Sequence, residues 1–298
     1  LKKNKNNPAV VWLSSLNSKK SSDRYTFVLN SLCKLFDNST LIDFDWVNFN
    51  YVNLLELRQK LINKGLMAST INVYLSVFKS VFREAWRLDL IDVEIYMRIK
   101  DVRRVKGQSA SAGRALKTNE LRAIINFNCA NKKKQNKAVR DNAIIALGYG
   151  AGLRIEEITM LNKKDIADNL LLVHGKGSII RTVFMPDFTK KALNLWLKQR
   201  GDFVGAVFTT VLYGGHIKNK RIATRTIGNV IKSRQIDAKV SKFTPHDLRR
   251  SFGTHLLNEG VDILMVQKLM RHASVNTTRI YDRRDDKAMI KAMEKLPF

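Results

Sequence analysis

The sequence predicts a mainly α protein with a small antiparallel sheet, an α+β chain in two parts. Three observations carry that expectation. Residues 18–36, 52–64 and 70–87 repeat apolar side chains with helical period and show no strand-like alternation. The stretch KGQSASAGRA, residues 106–115, is rich in Gly and Ser and lacks large apolar residues, as a linker would. Beyond it, NLLLVHGKGSIIRTVFM alternates as two short strands about a glycine-containing turn. The expected organisation is a helical domain over residues 1–105, a linker over 106–115 and a mixed domain over 116–298.

Taken in order, the three helical segments have a stop signal at Gly65, after the second of them. In residues 70–87, at about 100° per residue, Ile71, Tyr74, Leu75, Phe78, Val81, Phe82, Ala85 and Trp86 gather on one side and form a core face. Asn72, Ser76, Lys79, Ser80, Arg83 and Arg87 gather on the other, with Glu84 at the edge. Cations among small hydrogen-bonding residues suit a phosphate backbone, although an ordinary solvated face has the same composition. In the second part Thr118 is placed to cap a helix through ELRAII, and residues 137–149 give a longer apolar helix. Strands over 170–174 and 179–185 meet at Gly175-Lys176-Gly177, and helices are expected to dominate again from residue 189 to the end.

Composition narrows the function. The chain of 298 residues has 53 Lys+Arg against 26 Asp+Glu, a formal charge of +27, yet is 45% hydrophobic, enough to build cores. So basic a surface repels itself, and polyanion binding is the common reason to carry one, with nucleic acid ahead of an anionic membrane. The longest apolar stretch, residues 143–153, is broken by Gly148, Gly150 and Gly152 and falls short of the roughly 20 residues of a membrane span. The start, LKKNKNNPAVVWL, does not read as a signal peptide. Two cysteines, Cys33 and Cys129, argue against a disulfide framework and for a reducing cytoplasm. The charge is uneven, with +8 in residues 1–107 and +19 in residues 108–298. It is densest over 218–242, where Lys218, Lys220, Arg221, Arg225, Lys232, Arg234, Lys239 and Lys242 face only Asp237.

Several chemistries are missing from the sequence. GYGAG lacks the Lys-Ser/Thr of a phosphate-binding loop, and no HExxH, CxxC or Mg²⁺-binding acidic cluster occurs. An enzyme acting on nucleic acid is therefore expected here without a metal or other cofactor. What remains is a series of polar residues at marked positions. Arg154 follows a glycine-rich break, with Glu157 one turn on to orient it. Lys176 stands at a hairpin tip. His246 and Arg249 share a helix face after Pro245, His272 ends an apolar helix, and Tyr281 follows nine residues later.

As an ordered set they carry a family resemblance. AGLRIEEI (151–158), HGKG (174–177), HDLRRSFGTHLL (246–257) and MRHASVNTTRIY (270–281) together resemble the tyrosine recombinases, the phage-integrase and Xer-like superfamily. STINVYLSVFKSVFREA (69–85) is similar to that family's core-binding-domain helix. The resemblance implies a core-binding domain followed by a catalytic domain, and a site-specific DNA recombinase. Tyr281 would attack a scissile phosphate to leave a 3′-phosphotyrosine and a free 5′-hydroxyl. Arg154 and Arg249 would hold the non-bridging oxygens, Lys176 would protonate the departing 5′-oxygen, and His246 and His272 would assist proton transfer and phosphate binding. Glu157 would support Arg154. A phenol, with a reference pKa of about 10, needs such surroundings to act at neutral pH. His255, in the row Leu248, Phe252, Leu256, reads as structural.

The expected partner is double-stranded DNA with paired inverted half-sites. Asn72, Ser76, Lys79, Arg83 and Arg87 in the first domain, and Lys220, Arg221 and Arg225 in the second, are the expected contacts. Met289, Ala292, Met293 and Leu296 form one stripe in KAMIKAMEKL, within the stretch 287–298 that the resemblance makes an exchange helix linking protomers as dimer and tetramer. Two alternatives share some features. A helix-turn-helix binder fits the lengths of 246–258 and 262–270, but ILMVQKLM is too apolar for a groove-reading helix. A type IB topoisomerase shares the covalent step, and the long first domain and the tail favour recombination over it. A membrane-surface protein would need a basic amphipathic anchor that does not stand out.

Overall fold

Two of the helix starts in the first part are built from asparagine. In the computed structural model, which describes residues 7–107, 113–175, 180–271, 274–279 and 281–282, the chain divides into two compact units between Ala110 and Ser111. The expected linker falls partly on residues outside the described ones. In the first unit, the Asn7 side chain accepts from the amides of Ala9 and Val10 to open α1 (Pro8–Ser14). Its amide group also donates to the carbonyls of Leu41 and Ile42 at 3.0 and 3.2 Å, tying the helix start to a distant loop. Helix α2 (Lys19–Asp37) ends at Asn38, in the left-handed region at φ +64°. Helix α3 (Tyr51–Asn63) opens on a reciprocal Asn50/Asn53 pair and stops before Gly65, at φ +69°. Helices α4 (Ala68–Arg87) and α5 (Val93–Asp101) complete the unit.

The predicted apolar face of α4 is the centre of this unit. Ile71, Leu75, Phe78, Val81, Phe82 and Ala85 are all buried against Leu29, Leu54, Leu57 and Leu61. Phe36, Phe44, Trp46 and Phe49 pack edge-on or tilted about Phe78 and Phe82 at centroid distances of 4.6–6.0 Å. Trp86 departs from the expected core: it stays 39% exposed and stacks flat on Tyr96 of α5 at 5.4 Å. The helices α1 and α5 agree with an all-helical first half, although at seven and nine residues they carry too few periodic positions to be marked individually in the sequence.

The second unit surrounds α7 (Gln135–Gly150), which packs against α6 (Thr118–Ile125), α9 (Asp187–Arg200) and α11 (Pro245–Asn258). Lys117, and not Thr118, occupies the cap position of α6. Glu120 accepts from the Lys117 amide at 2.8 Å and pairs bidentately with Arg114 at 2.6 and 2.7 Å, so the acid closes the helix start from within. Strands β1 (Ile166–Ala167), β2 (Leu170–His174) and β3 (Ile180–Phe184) form an antiparallel meander after the short α8 (Ile155–Met160). Its register pairs Leu172 with Thr182 and His174 with Ile180. Leu171, Val173 and Val183 point into a core with Trp196 and Phe208.

Helices dominate from residue 187 onward as expected, with a second antiparallel ribbon, β4 (Thr209–Val211) with β5 (Ile217–Arg221), added among them. The lysine-rich IKNKR reads as a charged surface in sequence, and its pairing depends on a bulge at Thr209/Thr210. Helices α10 (Thr224–Asp237), α11, α12 (Ile263–Met270) and α13 (Val275–Arg279) follow. None of the helices among the described residues is long and apolar enough to cross a membrane.

The α7–α9 crossing depends on Gly150. A Cβ there would stand 2.0 Å from Thr189 Oγ1 and 2.5 Å from a Phe188 ring carbon. Gly150→Ala is therefore expected to cost about 1–3 kcal/mol by overpacking. Denaturant unfolding of the full chain reads this as a lower midpoint for the second unit, and an unchanged midpoint would contradict it.

Candidate active site

The site grows from the break after α7. Gly152 adopts φ +56°, where a Cβ would press to 2.7 Å on the Phe252 ring. That turn delivers Arg154 to the start of α8. The Glu157 carboxylate accepts from the Arg154 backbone amide at 2.8 Å and from its guanidinium at 2.9 Å, which is the orienting contact the spacing suggested. Glu157 is buried while the Arg154 side chain is 45% exposed, so the acid anchors a guanidinium that still faces outward.

Helix α11 supplies the opposing wall. Pro245 sits in its first turn, and the buried Asp247 accepts from the Thr244 amide and hydroxyl, both at 2.8 Å. Asp247 also receives the Arg114 amide at 3.0 Å and lies 3.7 Å from the Arg250 guanidinium. These contacts fix the first turn, from which His246 projects to the surface and Arg249, one turn on, projects inward. Arg249 is 2% exposed and donates to the carbonyls of Gly152 and Met270. Burial, with Arg154 and Arg271 close by, pulls its guanidinium down to about 9, which leaves it charged at neutral pH.

Tyr281 lies on the inner side of α11. Its ring packs beside Gly253, where a Cβ would come within 3.5 Å of Cδ2 and 2.6 Å of the Met270 sulfur. Leu257, Val266 and Met270 surround it, and the residue is 3% exposed. The Arg250 guanidinium stands 5.3 Å from the ring centroid. The phenol oxygen lies 3.5 Å from His246 Nε2, at the outer limit of hydrogen bonding. Partial desolvation, and then Arg250 and Arg249 beside it, lower the His246 imidazole below its ordinary value, so the ring is neutral at neutral pH. A groove of about 290 Å³ runs between Arg154 and Ile155 on one wall and Pro245, His246 and Arg249 on the other.

The structure thus brings Arg154, Glu157, His246, Arg249 and Tyr281 together. Lys176 and His272 lie outside the described residues, as do residues 287–298. Sequence reasoning passed over Arg271, which donates to Glu157 at 2.9 Å and to the Gly152 carbonyl at 3.1 Å. It stands within the quoted MRH motif, but a cation at a helix end reads as surface. His255 is bound to the Tyr149 hydroxyl at 3.0 Å, in keeping with a structural role.

The expected DNA contacts separate into two groups. The Asn72 side chain donates to and accepts from the Val105 backbone at 3.0 and 2.8 Å. The Lys79 ammonium donates to the carbonyls of Lys100, in the last turn of α5, and Val102 just past it, and desolvation there lowers it below the usual lysine value. Arg221 donates to the carbonyls of Thr159 and Leu161 and to Asn162 Oδ1. These three side chains are thus engaged within the protein, Asn72 and Lys79 while lining a groove beside α4. Arg234 of the dense basic run is also internal, 3% exposed and 4.6 Å from the Phe127 ring centroid. Ser76, Arg83, Arg87, Lys220 and Arg225 remain exposed. In the first unit, Ser76, Arg83 and Arg104 border a groove of about 360 Å³ beside α4.

The second unit is a helical body with a three-stranded meander, and its groove is lined by Arg154, Arg249 and His246, with the Tyr281 hydroxyl 3.5 Å from that histidine. The model of the phage integrase family matches residues 114–288, and the chain belongs to that family of tyrosine recombinases. Tyrosine recombinase XerA of Thermococcus onnurineus is 30% identical over 239 residues, covering 79% of this chain and 78% of its own length. XerA of Pyrococcus furiosus is 36% identical over 161 residues, and there the match spans only about half of either protein, 53% of this chain and 54% of XerA. Among solved structures, XerH recombinase bound to a palindromic difH substrate superposes with a TM-score of 0.72 at 21% identity, covering 93% of this chain and 80% of that one. The Tn1549 transposon integrase in complex with transposon right end DNA gives 0.70 at 20% identity over 95% of each chain. At such identities these two likenesses speak for the fold.

Proposed function

We propose that the chain is a site-specific DNA recombinase that cleaves and rejoins DNA through a 3′-phosphotyrosine at Tyr281. The observation that carries this reading is the approach of the Tyr281 hydroxyl to a neutral His246 at one end of a groove walled by Arg154 and Arg249. In the forward step the Tyr281 oxygen bonds to phosphorus, its proton passes to His246 Nε2, and the bond to the 5′-oxygen breaks. Lys176 supplies the proton for that leaving oxygen. Arg154 and Arg249 hold the non-bridging oxygens as charge builds, with His272 assisting. Arg249 donates to two carbonyls, and with five N–H groups a guanidinium can keep both while it meets a phosphate. Because the Tyr281 ring is almost wholly covered, attack requires the segment around residue 281 to shift from Gly253 when DNA binds. The 5′-hydroxyl of another strand reverses the step, and the phosphodiester energy is retained in the covalent bond.

On this reading Ser76, Arg83, Arg87, Lys220 and Arg225 contact the phosphates of a duplex gripped by both units, and binding falls steeply with salt. Two protomers occupy inverted half-sites and two such duplexes form a tetramer, linked through residues 287–298. The exposure of Leu264 and Met265 on α12, at 53% and 50%, supports an apolar landing place for such a tail. The reading is tested by incubating the protein with nicked genomic fragments, recovering covalently bound DNA and sequencing it. A single recurrent motif with inverted halves is the expected result. Scattered sequence at every junction would favour a topoisomerase-like strand transferase.

The cleavage rate also has an expected pH dependence. Neutral His246 is the proton acceptor, and its lowered value keeps it neutral further into acid. The single-turnover rate should therefore rise with pH through a midpoint below the ordinary histidine value of about 6.5 and be level by neutrality. A midpoint at or above that value would remove His246 from this role.

A further inference from the structure

We propose that Arg271 is a positioning residue for the two phosphate-binding arginines, its guanidinium bridging Glu157 and the Gly152 carbonyl so that Arg154 and Arg249 are held along one groove. The inference rests on the recombinase reading and adds a residue to its machinery. Arg271 ends α12 in the left-handed region, at φ +56°, a position that glycine occupies most easily. An arginine stands there and is 8% exposed, so the side chain is kept in spite of the backbone preference.

Its donors account for that. Nη1 donates to the Leu269 carbonyl at 3.2 Å, while Nη2 donates to Gly152 at 3.1 Å and to Glu157 Oε2 at 2.9 Å. The Gly152 carbonyl also receives Arg249 Nη1, and the other Glu157 oxygen receives Arg154 Nη1 at 2.9 Å. One carbonyl and one carboxylate therefore join three guanidiniums. With Arg271 removed, Glu157 Oε2 keeps only the Arg154 amide as partner, and the carboxylate can turn towards the Arg154 guanidinium and draw it off the groove. Gly152 would lose the contact that braces the carbonyl bound to Arg249.

The test uses Arg271→Gly, which keeps the left-handed turn and removes only the side chain, with Arg271→Lys beside it. Each full-length protein is measured for duplex affinity and for the single-turnover rate of covalent capture on a nicked duplex carrying the recovered motif. Arg271→Gly should cleave about 10²-fold more slowly with duplex affinity unchanged, as expected of a small misplacement at the reacting centre. Arg271→Lys should recover part of the rate, since an ammonium reaches Glu157 without the fork. In a Glu157→Gln background Arg271→Gly should slow the reaction far less than it does alone. A wild-type rate for Arg271→Gly, or an equal loss in both backgrounds, overturns the proposal.

If the unaltered protein captures no DNA, the recombinase reading fails first, and the positioning claim is decided by carboxyl NMR of Glu157. Its titration midpoint should lie at higher pH in folded Arg271→Gly than in the unaltered protein, and coincident midpoints overturn the claim. Should Arg271→Gly not fold, Arg271→Lys carries both readings, and wild-type values on both overturn it.

Discussion

Tyr281→Phe is expected to abolish covalent capture of nicked DNA while leaving duplex affinity within about twofold, since phosphate contacts elsewhere dominate binding. The substitution is nearly silent for the fold. The ring packs beside Gly253 and Met270 and is kept, and the oxygen lost lies 3.5 Å from His246 at the limit of hydrogen bonding, so stability should change by about 1 kcal/mol. The chemical consequence is total, because no covalent bond to phosphorus can form through a phenyl ring. The assay is denaturing electrophoresis of the trapped complex beside an equilibrium binding titration. Undiminished capture by the Phe variant would move the nucleophile to another residue.

Arg249→Ala is expected to slow capture by about 10²–10³-fold, the usual cost of removing a donor aimed at developing charge. Its effect on duplex affinity should be far smaller, because one phosphate among many is concerned. Arg249 is also 2% exposed and braces the carbonyls of Gly152 and Met270, so some loss of stability accompanies the kinetic defect. Working below the variant's unfolding transition separates the two effects. Arg249→Lys should recover little, since a single ammonium cannot reproduce a fork that spans two carbonyls and a phosphate. A variant that is folded and as fast as the unaltered protein would contradict the role given to this side chain.

Much of this was legible in the sequence, for reasons that differ from place to place. The core face of α4 follows from period alone, since Phe78 and Phe82 are four apart and sink together into the aromatic cluster. The β2–β3 meander follows from alternation about a glycine turn, with Leu171 and Val173 turned inward. Arg154 and Glu157 meet because a turn of helix makes them meet. The polar face of α4 shows the limit of that logic. Periodicity tells which side Asn72 and Lys79 are on, but not that residues 102–105 fold back over that side and take up their donors. Arg221 and Arg234 are a similar case, because a basic run gives no sign of which guanidiniums turn in to cap carbonyls. Arg271 was hidden for the same reason: its partners, Glu157 and Gly152, are more than a hundred residues away in sequence.

The +27 charge therefore has distinct parts. Some cations hold the fold, several remain exposed on both units, and Arg154, Arg249 and Arg271 converge on Glu157 and the Gly152 carbonyl. The central claim is that this convergence exists to break and remake a phosphodiester at Tyr281. Mass spectrometry of the trapped complex after nuclease digestion tests it most directly. The account predicts a nucleotide joined through its 3′-phosphate to the peptide bearing Tyr281, with a free 5′-hydroxyl on the released strand. An adduct on any other residue, or cleaved DNA with 5′-phosphate ends and no attached protein, would contradict it.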